Sequence, residues 1–135
     1  MNSKIKPEER NAAACAAHMR AIHDTLDLLN GKWKIAILGS LSFGNKRFME
    51  LQREVEGIGS KMLSKELREL EINDLVKRTV YDTKPVTVEY EMTEYGKTLD
   101  PIICEMASWG RNHRKKIMHS VETNEQDVVS HSSSE

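Results

Sequence analysis

The chain has 135 residues, of which 39% are apolar and 30% charged, a size and balance that suit one globular domain with its own core. Its formal net charge is −1, so it is not a uniformly basic coat for nucleic acid, and any affinity for a polyanion must come from a local patch. Two cysteines are too few for a disulfide-stapled secreted scaffold, and no apolar run reaches the ~18 to 20 residues of a membrane span.

The opening Met1-Asn2-Ser3-Lys4 is polar and does not begin a secretory signal, so the expected location is cytoplasmic, with reduced thiols and no membrane partner. Residues 1–14 read as a flexible arm, residues 15–118 as the folded domain and residues 119–135 as a disordered acidic tail. In that tail Glu122, Glu125, Asp127 and Glu135 stand among Ser, Thr, Asn and Gln, with almost nothing to bury.

From about Asn11 to Asn30 the chain reads as helix, in one bent piece or two, with Met19, Ile22, Leu26 and Leu29 at helical steps; Asp24 or Asn30 could start or stop a piece. Gly31 precedes a second helix in which Trp33, Ile37, Leu38 and Leu41 are expected at the centre of the core, and Gly44 ends it. Arg47 to Val55 reads as a short amphipathic helix with Phe48, Leu51 and Val55 inward. Gly57-Ile58-Gly59 then breaks the chain before the next helix.

That next helix is the most informative element. Ser60 is expected to cap it, and it runs to about Asn73. At 100° per residue Leu63, Leu67 and Leu70 fall within a sector of roughly 60°, while Lys61, Ser64, Lys65 and Arg68 cluster on the opposite side. The leucine side must face a core, and the other side offers hydrogen-bond donors without a large apolar group, as base edges and phosphates require of a helix in a major groove. Glu66, Glu69 and Glu71 lie on the same helix and are expected to temper its charge. Helix, glycine turn, helix is the helix-turn-helix pattern.

A hairpin follows. Val76, Arg78 and Val80 alternate with Lys77, Thr79 and Tyr81, and Val86, Val88, Tyr90 and Met92 alternate with Thr87, Glu89, Glu91 and Thr93. Asp82-Thr83-Lys84-Pro85 is the turn between them, which puts Lys84 on a protruding tip with Arg78 nearby, placed to touch phosphates or a minor groove. The fold class is therefore mainly α with a small β-hairpin, a winged helix-turn-helix. After the hairpin Thr93 starts a last long helix. Its Leu99, Ile102, Ile103, Met106 and Trp109 form a stripe wider than a small domain needs; with the N-terminal helix it is the candidate dimer surface.

Each candidate has a plainer reading. Lys61, Lys65 and Arg68 could be a solvated face, and Arg47, placed as a phosphate clamp at a helix N-terminus, could instead pair with Glu50 or Glu54. Trp33 and Trp109 read as packing residues, and Cys104, on the apolar stripe, as a buried small hydrophobe. Cys15 is either a redox-active thiol, with His18 or Arg20 supplying positive charge, or an inert one. His18 and His23 are not at the spacing that places two imidazoles on one helical turn, so no metal site and no cofactor is expected. A Cys15–His18 catalytic pair has no phosphate loop or paired acids beside it, so an enzyme is not expected. A dimeric adaptor without a DNA target is compatible with the same fold, and would lack salt-dependent binding to a palindromic duplex.

The segments Leu28-Leu29-Asn30-Gly31-Lys32-Trp33, Arg47-Phe48-x-Glu50-Leu51, Gly57-Ile58-Gly59-x-Lys61-Met62-Leu63-Ser64-x-x-Leu67-x-x-Leu70-Glu71 and Pro85-x-x-x-Glu89-Tyr90-x-x-Thr93-x-x-Gly96-x-x-Leu99 together resemble the HxlR-type winged-helix transcriptional regulators, relatives of the MarR group. The resemblance covers roughly Cys15 to His113 and includes Trp109-Gly110. It implies a homodimeric regulator, repressor or activator, that binds double-stranded DNA at a palindromic operator and dimerises through its terminal helices. It further implies that Ser60, Lys61, Ser64, Lys65 and Arg68 form the reading face, that Lys84 sits at the wing tip, and that Arg47 belongs to an Arg-Phe pair opening the preceding helix. Cys15 stands where some members carry an oxidant-sensing cysteine, although Ala16-Ala17 follows it here in place of the usual proline.

Overall fold

The computed structural model describes residues 6–132, with side-chain surroundings through residue 126. Its elements run α1 (Pro7–Leu28), α2 (Trp33–Leu41), β1 (Lys46–Arg47), α3 (Phe48–Glu54), α4 (Ser60–Ile72), β2 (Val76–Tyr81), β3 (Thr87–Met92), α5 (Glu94–Lys97) and α6 (Asp100–Ser132). The three strands form one antiparallel sheet in the order β1-β3-β2. Val76 pairs with Met92 and Tyr81 with Thr87 along the hairpin, while Lys46 and Arg47 pair with Tyr90 and Glu89 on the other edge of β3.

The core lies between α2, α3, α4 and the root of the hairpin. Ile37 and Leu38 of α2, Leu51 of α3 and Leu63, Leu67 and Leu70 of α4 are essentially inaccessible, and Leu75, Val76, Tyr90 and Met92 close it from the sheet side. Leu99 and Ile103 bring the start of α6 onto α2, where Ile103 lies 3.9 Å from the point a Cβ on Gly39 would occupy. Trp33 is only half-buried at the edge of this cluster.

Two backbone features fix how α4 and the hairpin join their neighbours. Gly57 has φ +88°, a conformation glycine adopts without steric cost, and it makes the turn between α3 and α4. At the hairpin's exit, Thr93 donates its backbone N–H to the Leu75 carbonyl (3.1 Å) and its hydroxyl to the Asp74 carbonyl (2.6 Å), while its Oγ accepts from the Gly96 N–H (2.9 Å). A Cβ on Gly96 would sit 2.1 Å from the Leu75 carbonyl oxygen, so only glycine permits this closure.

Several expectations change. α1 is one unbroken helix from Pro7 that includes residues 7–14 of the expected arm, because Pro7 opens it and Glu8 and Glu9 occupy its first turn. It ends at Leu28 rather than Asn30. The N-cap of α4 is Gly59 and not Ser60, which is the first helical residue; no side chain caps that end. β1 was not anticipated, since two residues carry no periodicity. The last helical stretch divides into α5, capped by Thr93, and α6, whose second residue is Pro101.

α6 also continues through residues 119–132, where disorder was expected from composition. The chain has neither proline nor glycine after Gly110 to interrupt the backbone pattern, and residues 119–126 are all exposed. Residues 1–5 of the expected arm and 133–135 of the expected tail lie outside the described residues. Cys104 is exposed rather than buried, as are Met106 and Trp109. The apolar stripe of α6 leaves the core after Ile103.

Candidate nucleic-acid interface

The two sides of α4 are cleanly divided. Leu63, Leu67 and Leu70 are buried; Ser60, Lys61, Ser64, Lys65 and Arg68 are all exposed. Lys61, Ser64, Lys65 and Arg68 line a shallow open concavity with Gly59, Met62 and Glu69. Because the leucines are locked in the core, this side cannot rotate away from solvent without unpacking the domain.

The helix is held from behind by charge as well as by leucines. Lys34, in the first turn of α2, is only 2% exposed, and its ammonium donates to Glu66 Oε2 (2.6 Å), to Glu69 Oε2 and to Asn30 Oδ1 (3.1 Å). An ammonium has three donors, and these three acceptors satisfy all of them. Burial alone would pull the Lys34 pKa down, but the hydrogen bonds and charges of Glu66 and Glu69 outweigh it and hold the pKa above its ordinary value. The hydrogen bond from Lys34 lowers the Glu69 pKa. Removing one partner of the buried Lys34–Glu66 pair would leave a charge unmatched, at a cost of about 3–5 kcal/mol.

Of the carboxylates expected to temper the outer charge of α4, Glu66 is buried against Lys34, whereas Glu69 pairs with Lys34 and also borders the outer concavity. The signal for this cluster was present. Lys34, Ile37, Leu38 and Leu41 form one helical stripe, as do Leu63, Glu66, Leu67 and Leu70, so each apolar stripe contains one misplaced charge of opposite sign.

Arg47 is the N-cap of α3, and its backbone N–H donates to Glu50 Oε1 at 3.0 Å. Among the described residues its guanidinium enters no ion pair; Lys46 takes Glu54 instead (3.0 Å), and Ser40 also donates to that carboxylate. The Ser40 hydrogen bond and then Lys46 hold the Glu54 pKa below the usual value. Arg47 therefore remains exposed beside the opening of α3. With Phe48, Met49, Glu50 and Arg53 it lines one wall of a groove whose other wall is Pro85, Val86, Thr87 and Val88 of the wing. Arg53 is a further exposed cation here that was not singled out from sequence.

Arg78 is exposed on β2 opposite Tyr90, and Lys84 is exposed at the hairpin tip. Thr83 organises that tip by donating its hydroxyl to the Pro85 carbonyl (2.7 Å). The structure thus groups the candidates in three places, namely the outer side of α4, the α3–wing groove and the wing. Cys15 is exposed on α1, away from all three in sequence.

The outer sides of the terminal helices are apolar and uncovered. Met19, Ile22 and Leu26 of α1 and Ile102, Met106 and Trp109 of α6 are exposed, Trp109 by 68%, with its ring stacked on His113 at 4.9 Å. No helix among the described residues is long and apolar enough to cross a membrane.

Residues 28–118 match the family model described as HxlR-like helix-turn-helix. The chain is 42% identical over 97 residues to YtcD of Bacillus subtilis (strain 168), an uncharacterized HTH-type transcriptional regulator, across 72% of this chain and 77% of that protein. Among solved structures, the redox regulator HypR in its oxidized form superposes with a TM-score of 0.66 at 42% identity, over 68% of this chain and 95% of HypR. Diamide-treated YodB from B. subtilis gives 0.56 at 32% identity, over 80% of this chain and 94% of YodB.

Proposed function

Because this chain belongs to the HxlR-like helix-turn-helix family of transcriptional regulators, we propose that it acts in the cytoplasm as a homodimer that binds a palindromic operator and there represses or activates transcription. The observation that carries this reading is the division of α4, whose apolar side is wholly enclosed while Lys61, Ser64, Lys65 and Arg68 stand in solvent. In this reading those side chains and Ser60 enter the major groove. Arg47 binds a phosphate near the start of α3, and Arg78 and Lys84 follow the backbone or the adjacent minor groove.

A single reading helix contacts few base pairs, so specificity requires a second copy. The uncovered apolar residues of α1 and α6 supply the surface, and a two-fold axis would set the half-sites about 34–36 Å apart or at a multiple of that. Selection of bound duplexes from a random pool tests the whole reading. Two inverted half-sites at that spacing are expected; recovery of no enriched sequence would overturn it.

Cys15 adds a regulatory component. It is exposed on α1, within the proposed dimer surface, and HypR, similar in fold and sequence, is a redox regulator. Peroxide would oxidise the Cys15 thiols of two subunits to one disulfide, two molecules of water being formed per peroxide, and the linked α1 helices would reset the spacing of the reading helices. If Cys15→Ser binds and releases the operator as the native protein does, with and without peroxide, this component fails.

A further inference from the structure

The Lys34 cluster does more than fill space behind α4. Glu69 occupies the border of that helix: its carboxylate is 39% exposed, it lines the same concavity as Lys65 and Arg68, and it stands four residues after Lys65. Side chains four apart on a helix are neighbours and pair when their charges are opposite. A free Glu69 would therefore reach Lys65 and neutralise a cation on the outer side. In the structure the two form no ion pair, although the Lys65 charge still acts on the carboxylate; Glu69 is bonded instead to the Lys34 ammonium, which is itself anchored to Glu66 and to Asn30 at the α1–α2 corner.

We propose that Lys34 is a positioning residue for the DNA-reading surface: by pairing with Glu69 it keeps that carboxylate from forming an ion pair with Lys65, which stays available to a phosphate. The inference rests on the DNA-reading assignment of α4. Lys34 touches no nucleic acid in this scheme and acts only through the carboxylate it sequesters. It also ties that carboxylate's position to the end of α1, so a change at the α1–α2 corner would be felt as a change in the charge displayed by the reading helix.

The test is the salt dependence of operator binding by the full-length protein, read by fluorescence anisotropy on a duplex recovered by selection. The slope of log K against log salt counts neutralised phosphates, at about 0.9 per contact. The variant Lys34→Met/Glu66→Gln removes one charge of each sign, so the net charge is unchanged and no buried carboxylate is stranded, while Glu69 is released. The slope should become shallower by about one per subunit, and adding Glu69→Gln should restore it. Glu69→Gln alone, with Lys34 present, should leave the slope near the native value.

A purely structural role would lower the melting temperature without this pattern. An unchanged slope in Lys34→Met/Glu66→Gln, or a failure of Glu69→Gln to restore it, overturns the proposal. Should the methionine variant not fold, Lys34→Gln/Glu66→Gln keeps a neutral hydrogen-bonding pair in the same place and is judged by the same criteria. A native protein with no salt-dependent duplex binding removes the DNA-reading assignment itself, and the inference with it, whereas native binding with unresponsive variants removes the inference alone.

Discussion

The winged unit from α2 to β3 and the pair of terminal helices treat their apolar residues in opposite ways. In the winged unit the leucines of α2, α3 and α4 meet one another and vanish from solvent. In α1 not one residue is buried, and α6 keeps Ile102, Met106, Trp109, Ile117, Met118 and Val121 in water. The same kind of helical stripe therefore finishes its work within the chain in one region and leaves it unfinished in the other. A stripe states that a helix needs a cover; it does not state which molecule supplies it.

Three substitutions test the difference between the two regions. The largest effect belongs to the self-contained unit, where Leu67→Ala should cost about 2–5 kcal/mol in urea unfolding, through lost burial and the cavity left behind. A loss below 1 kcal/mol would mean that the core is less closely packed than its burial indicates. Next comes Gly96→Ala, which drives a methyl group into the Leu75 carbonyl and should cost about 1–3 kcal/mol. The loss should appear at the hairpin root first, as faster amide exchange at Leu75 and Thr93.

The smallest effect on folding, and the sharpest contrast, is expected at the unfinished stripe. Trp109→Glu should change unfolding of the isolated subunit by no more than about 0.5 kcal/mol, as an exposed substitution does. Sedimentation equilibrium should nevertheless show a shift from dimer toward monomer. Equal damage to folding from Trp109→Glu and Leu67→Ala would erase the distinction between the regions.

What could be read from sequence divides along the same line. The leucine stripe of α4, the alternation of β3 and the glycine turn at Gly57 are local patterns, and the structure places all three where the sequence puts them. β1 is visible only through its partner β3, where Lys46 meets Tyr90 and Arg47 meets Glu89 in the chain's later half, and two residues offer no pattern to detect. The Lys34–Glu66 pair belongs to the same class of non-local facts, although each member stands out on its own stripe once the stripes are drawn. Cys104 was misplaced because its apolar neighbours suggested burial, whereas the stripe it shares runs past the edge of the core. α6 continues past residue 119 without burying any side chain among residues 119–126, and composition, which measures what can be buried, says little about such a stretch.

The closure around Thr93, Leu75 and Gly96 carries an evolutionary consequence. Two hydrogen bonds from Thr93, to the Leu75 and Asp74 carbonyls, and the close approach of Gly96 to Leu75 fasten the hairpin's base to the segment after α4, while residues 82–86 at the far end are all open to solvent. Insertions and deletions should accordingly accumulate at the outer end of the ribbon and be purged from its foot. Lineages can lengthen or shorten the outer arm of the hairpin without disturbing the angle at which it leaves the body.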